Sequence, residues 1–170
     1  TLAGDAWNLA CMGKGLANCP KEFGPDMDYS ASSIMIDLGD RDILVAGQKS
    51  GSVYGLDPDT GEILWSTVVS GGGTQGGIHF GMAAEGKTVY VPINDMKNTY
   101  DGKVWQNRKP GMHSLDAETG NILWSNITNK ECKEIDFNCD PGVSAAVTAI
   151  PGAVIVGHLD GNIRIYDKKK

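Results

Sequence analysis

Apolar and polar residues alternate in short runs along the chain, and Gly, Pro, Asn or Asp bounds most of these runs. A period of two over a few residues is the mark of a half-buried strand. It predicts four consecutive antiparallel strands at 32–38, 42–47, 52–57 and 62–69. A second set falls at 77–84, 87–93, 111–116 and 121–127, and a third at 143–150, 153–158 and 162–167. Turn signals separate them, with "EGK" at 85–87, "PG" at 151–152 and "DG" at 160–161.

The first two sets share a phrase. Residues 56–65 read "LDPDTGEILW" and residues 115–124 read "LDAETGNILW". Seven positions agree in register, 59 residues apart. In each copy an Asp opens the turn, where its carboxylate can accept backbone N–H bonds. A Gly closes it and supplies a positive φ. A repeat of this length points to a propeller or array. The expectation is an all-β chain forming a partial β-propeller of about two and three-quarter four-stranded blades. It is read as one domain, with a lead-in segment 1–31, blades at 32–70 and 71–128, and an incomplete blade at 129–170. Trp65 and Trp124 are expected to pack against the neighbouring blade, each able to bury about 150–250 Å².

Closed propellers use about four to eight blades. The chain is therefore expected to belong with further blades of a longer protein, or to assemble with other copies of itself. "TLAGDAWN" reads as the exit from an earlier blade, and the third set stops at "IYDKKK" where a turn and a Trp strand would follow.

Composition narrows the partners. A net charge of −6 argues against nucleic acid, and the basic run Lys168–Lys170 reads as a solvated tail or a turn cut short rather than a binding patch. No apolar run is long enough to span a bilayer, and none reads as a signal peptide. The four cysteines form two close pairs, Cys11 with Cys19 and Cys132 with Cys139. Two local disulfides in a secreted or periplasmic protein are the first reading. A four-cysteine zinc site is the rival, against which the spacings of eight and seven stand. Free thiols are the third.

The phrase x-L-D-x-x-T-G-x-I-L-W resembles the tryptophan-docking repeat of quinoprotein, PQQ-dependent dehydrogenases. Propellers that bind no quinone carry it too. "AGDAWNLAC", "NCP", "GPDMDYSAS", "LVAGQKSGSVYGLDPDTG", "GGIHFGMAAEGKTVYVP" and "PGVSAAVTAIPGAVIVGHLDGNIRIYD" narrow the likeness to polyvinyl-alcohol-dehydrogenase-like quinoproteins, over nearly the whole chain. Both cysteine pairs fall where that subgroup places cysteines. The resemblance implies PQQ-type blades of an eight-bladed propeller, with PQQ and Ca²⁺ in the full-length parent. It also implies a base, a metal acting as Lewis acid, and a cation beside the quinone.

The base is expected at Asp26, with Asp28 as the alternative, and the quinone contact at Lys49, 23 residues after Asp26. Pro25 stands where the family has Trp, and "DAW" at 5–7 competes for the same motif. The plainer reading is that Asp26 and Asp28 cap a turn and that Lys49 is a surface lysine beside a hairpin. His79 is a weaker candidate for a cofactor contact, against a structural histidine. His113 and His158 carry no supporting pattern. "GGGTQGG" at 71–77 contains a formal G-x-G-x-x-G, but a strand is expected after it where a dinucleotide site needs a helix. "NIT" at Asn126 is a sequon within the Trp strand and reads as accidental. No C-x-x-C-H haem motif is present.

The leading expectation is a segment of a periplasmic quinoprotein dehydrogenase that oxidises a secondary or polymeric alcohol and passes electrons to a cytochrome. No metal site is assigned within the chain, and the isolated segment is expected to be inactive. The alternative is a non-enzymatic PQQ-like propeller acting as a scaffold or binding module.

Overall fold

The computed structural model describes residues 4–12, 17–73, 75–96, 106–128 and 140–169. Their strands form three antiparallel sheets. The first contains β1 (Ile34–Asp37), β2 (Asp42–Gly47), β3 (Ser52–Leu56) and β4 (Ile63–Val68), paired in chain order. The second contains β5 (Ala83–Glu85), β6 (Thr88–Ile93), β7 (Gly111–Asp116) and β8 (Ile122–Ile127), also in order. The third contains β9 (Thr148–Ile150), β10 (Ala153–Gly157) and β11 (Ile163–Asp167). Three successive meanders of this kind make a partial propeller. A short 3₁₀ turn at Leu9–Met12, which alternation does not predict, precedes them.

Two expected strands are much shorter than their apolar runs. The run at 77–84 joins the ladder only from Ala83, and the run at 143–150 only from Thr148. The preceding residues spend their backbone groups on the neighbouring sheet. Ile78 N donates to Gln48 O, Val143 N to Ile93 O, and Val147 N to Gly81 O. These lead-in stretches tie one blade to another, which alternation cannot distinguish from ladder pairing.

The period of two then sorts side chains between two cores. Val89, Val91, Ile93 and Leu115 face the first sheet and join Val45, Val53 and Val69 in one cluster. Tyr90 and Met112, on the opposite face of the same sheet, join Val143, Val154, Val156 and Tyr166 in another. Each sheet thus fills the space between its neighbours. On β11, Ile163 and Ile165 are 76% and 69% exposed.

The repeated phrase closes these interfaces. In the turn after β3, the Asp57 Oδ1 accepts from Asp59 N (3.0 Å), Thr60 N (2.8 Å) and Thr60 Oγ1 (3.0 Å). Asp116 does the same for Glu118 N, Thr119 N and Thr119 Oγ1. Trp65 leaves its own sheet and donates through Nε1 to Ala117 O at 3.0 Å, within the second copy's turn. Gly120 has φ +73°, and a Cβ there would come within 2.5 Å of the Trp65 ring. Only glycine meets both demands. Trp124 repeats the move, donating to Lys168 O at 3.2 Å and stacking on Tyr166 at 6.2 Å.

Between β7 and β8, His113 is fully buried. The Lys109 carbonyl, 2.9 Å from Nε2, can only accept, so Nε2 carries the proton and Nδ1 accepts from Ser125 Oγ at 2.8 Å. Burial is the main cause that pushes the imidazole pKa down to about 4.

Two outcomes follow. Trp65→Ala should cost about 3 kcal/mol, through lost ring burial and a vacated docking space, and should lower the melting temperature more than Lys49→Ala. Equal shifts in calorimetry would speak against docking as the ring's role. For His113, the unfolded chain binds a proton below pH about 6.5 while the folded chain stays neutral down to about 4. Stability therefore falls as pH drops through that window, by up to about 3 kcal/mol from this group. Urea unfolding at pH 7 and pH 4 should show a smaller difference in His113→Asn than in the parent sequence.

Candidate functional site

The turn between β2 and β3 is tight. Gln48 N donates to Ser52 O and Gly51 N to Gln48 O, each at 3.0 Å. This presents Lys49 at the end of the sheet. Its main chain is held on both sides, because Lys49 N donates to Asp28 O and Gly73 N donates to Lys49 O, each at 3.1 Å. Gly72, Gly73 and Gly77 of the Gly-rich stretch thus pack against the Lys49 turn, and among the described residues the next element is the strand β5.

The side chain of Lys49 lies between two carboxylates. Nζ is 3.2 Å from Asp26 Oδ2 and 3.0 Å from Asp28 Oδ1. Lys49 and Asp26 are well shielded, at 14% and 9% side-chain exposure, whereas Asp28 is 48% exposed. Burial raises the Asp26 pKa above the usual carboxylate value, outweighing the hydrogen bond and charge of Lys49, and the like charges of Asp28 and Asp5 add to the rise. Burial opposes charge on Lys49, but the hydrogen bonds and charges of Asp28 and Asp26 win, and its pKa is raised.

The three residues line a cleft of about 660 Å³. Its other wall is Trp7, Asn8, Leu9, Ala10 and Asn18. A disulfide between Cys11 and Cys19, with Cα atoms 4.9 Å apart, pins this wall. Asn8 pins it further, donating to Asn18 O at 3.0 Å and accepting from Ala10 N at 2.9 Å. A buried carboxylate with a raised pKa beside a shielded ammonium, at the edge of an open cleft, can take a proton while positive charge is held nearby.

Other expected residues lie elsewhere. His79 is half-buried, with Nδ1 3.1 Å from Ser144 Oγ, and is not among the residues lining the cleft. His158 Nδ1 donates to Pro141 O at 3.1 Å, so Nε2 accepts from the Tyr166 hydroxyl at 2.9 Å. Cys132 and Cys139 lie outside the described residues. Among the described residues no group of three or more His, Cys, Asp or Glu is placed to hold a metal, and no helix is long and apolar enough to cross a membrane.

One further acidic residue was marked only as a competing motif, and another by no motif at all. Asp5 accepts from Asp26 N and Met27 N. Its only signal was the competing "DAW". Asp95 is buried and accepts from Gly77 N (2.8 Å), Lys109 N (2.9 Å) and Ser70 Oγ (3.2 Å). Its carbonyl accepts from Arg108 Nε at 2.7 Å. Burial raises its pKa against those bonds. No motif marks Asp95, since its partners come from three separate stretches.

Sheets, docking tryptophans and turn chemistry define a propeller-repeat protein. The family model described as outer membrane protein assembly factor BamB matches residues 24–95 and 49–170, and the chain belongs to that family of PQQ-type propeller repeats. It is 42% identical over 153 residues to a polyvinylalcohol dehydrogenase from Pseudomonas sp, covering 88% of this chain and 23% of that protein. It is 36% identical over 172 residues to a polyvinylalcohol dehydrogenase from Sphingopyxis sp. (strain 113P3), covering 98% and 26%. The chain thus spans about a quarter of the length of these relatives. Among solved structures, the quinohemoprotein alcohol dehydrogenase ADHIIG from Pseudomonas putida HK5 has a TM-score of 0.59 at 18% identity, covering 87% of this chain and 20% of that one. That likeness establishes a shared fold.

The geometry predicts that Lys49→Ala costs about 2 kcal/mol at pH 7, because it leaves two carboxylates facing each other without their cation. The loss should shrink at pH 3, where the Asp26 carboxyl, held above the usual carboxylate value by burial, is protonated. Urea unfolding at the two pH values checks this, and a pH-independent loss would contradict it.

Proposed function

We propose that the chain is the part of a periplasmic quinoprotein alcohol dehydrogenase that supplies the proton-accepting carboxylate and the neighbouring cation. The observation that carries this reading is the Asp26–Lys49–Asp28 cluster at the mouth of the cleft. The 36–42% identity to proteins named polyvinylalcohol dehydrogenase supports it and favours a secondary or polymeric alcohol as substrate.

The residues suit an anionic quinone. Lys49 is a fixed cation that can face carboxylate or quinone oxygens, and the cleft is open enough to admit a ring system. When bound, PQQ supplies the two-electron acceptor for the hydrogen leaving the carbinol carbon. Asp26 takes the hydroxyl proton on a carboxylate oxygen. Its raised pKa makes it a better acceptor than an ordinary surface Asp, and Lys49 keeps it ionised at neutral pH. The disulfide-pinned wall bounds the cleft on the opposite side. Calcium, in this reading, is held by blades outside this chain, as are most contacts to PQQ. Those blades also cover the exposed apolar face of β11, and a cytochrome takes the electrons onward.

A second reading rests on the description of the matching family model as an assembly factor. A non-enzymatic propeller would keep the docking tryptophans and need neither Asp26 nor Lys49.

The deciding experiment uses the full-length parent loaded with PQQ and Ca²⁺. Asp26→Asn should lower dye-linked oxidation of a secondary alcohol about 100-fold or more, with the quinone still bound. The 170-residue chain alone should show none. Parental activity in Asp26→Asn would remove the base assignment, and a parent that binds no PQQ would favour the second reading.

A further inference from the structure

The two acidic motifs that compete in the sequence, "DAW" at 5–7 and "PDMD" at 25–28, sit side by side in the fold. Their carboxylates do different things. Asp26 and Asp28 line the cleft with Lys49, whereas Asp5 does not. Each Asp5 oxygen is spent on a backbone donor: Oδ1 accepts from Asp26 N at 3.1 Å and Oδ2 from Met27 N at 2.5 Å.

The backbone at this point is unusual. Asp26 has φ +64°, a left-handed conformation that costs a non-glycine residue roughly 1 kcal/mol or more. Something must hold it there. Ala6 N donates to Phe23 O at 3.0 Å, and Gly24 lies so close that a Cβ would be 2.6 Å from the Asp5 Cα. The strands of chain at 4–6 and 23–27 are therefore clamped together, with the Asp5 carboxylate bridging two consecutive N–H groups at the strained residue.

We infer that Asp5 is a positioning residue, whose carboxylate fixes the main chain at Asp26 and Met27 so that the Asp26 carboxylate is presented to Lys49 and the cleft. This rests on the assignment of Asp26 as the base. It divides the labour between the rival motifs: one supplies the reacting carboxylate, the other holds it. Three charged groups act on Asp26, namely Lys49, Asp28 and Asp5. Asp5 is thus also one of the two negative charges that help Asp26 keep a proton.

The test is Asp5→Asn and Asp5→Glu in the PQQ- and Ca²⁺-loaded parent. Asn retains one accepting oxygen and loses the charge. It should lower kcat about 10- to 100-fold with KM within about threefold and the quinone content unchanged. The acid limb of its kcat–pH profile should move to lower pH, because a negative charge near Asp26 is gone. Glu keeps the charge but displaces the oxygens, so kcat should fall while the acid limb stays in place. A kcat within twofold of the parent in either variant overturns the inference. So does a loss of kcat that tracks a lower melting temperature in Asp5→Asn with the acid limb unmoved, which is the signature of a structural role alone. If Asp5→Asn does not fold, Asp5→Glu decides by the same measurements. Parental activity in Asp26→Asn would instead sink the base assignment itself, so the two failures are distinguishable.

Discussion

The docking of a tryptophan indole onto the next blade's Asp-to-Gly turn is the interaction on which the rest depends. A buried indole N–H needs an acceptor. Ala117 O provides it for Trp65, and Lys168 O provides it for Trp124. The carbonyl is free to accept because Asp116 has already gathered the turn's own N–H groups. Gly120 then lets the ring close on the backbone. The phrase thus has a donor half and an acceptor half, which meet across different copies. Trp65 takes its acceptor from the second copy of the phrase, and Trp124 takes its own from Lys168, just after the last strand.

The same stacking places the candidate site. Once the sheets are fixed, their lead-in stretches pair across blades, as Ile78 does with Gln48 and Val147 with Gly81. The Lys49 turn is caught in this lacing, held by Asp28 from one side and by Gly73 from the other. The Lys49 main chain is therefore fixed by contacts from two other segments. The side chain still gives up rotamer freedom to meet Asp26 and Asp28, and the pair of carboxylates offsets that cost and the burial of the charge.

Much of this was legible in the sequence. Ten-residue repeats with Trp at the end, and alternation in 42–47 and 111–116, located strands whose bounds match β2 and β7. The resemblance put Asp26 and Lys49 at one quinone site, and the fold brings them within 3.2 Å of each other. What could not be read depends on contacts between distant stretches. Alternation at 77–84 looked like one strand, but it joins its own ladder only from Ala83, and Ile78 and Gly81 bond to other blades. Asp95 has no motif because Ser70, Gly77 and Lys109 come to it from elsewhere. The left-handed backbone at Asp26 is equally hidden, since Asp tolerates many conformations and the Asp5 hydrogen bonds that accompany this one come from 21 residues away.

A repeated unit cannot by itself carry a unique chemistry, and the position that follows the second strand of each sheet makes the point. In all three sheets a polar residue is buried there: Gln48 after β2, Asn94 after β6 and His158 after β10. The next residue differs in kind. It is the cation Lys49 in the first sheet, the buried anion Asp95 in the second and the apolar Leu159 in the third. The scaffold holds these three positions in equivalent places, while the connection that follows ranges from the tight turn before Ser52 to the long one before Gly111. Architecture is therefore conferred by what the blades share, and the charge offered at their ends by where they differ. Of the three, the first sheet presents an ammonium there, and Asp26 and Asp28 of the preceding segment meet it. Local charge accounts for the pairing. Two carboxylates flank the one ammonium, and a third, Asp5, stands behind Asp26 on its main chain, so negative charge prevails around Asp26.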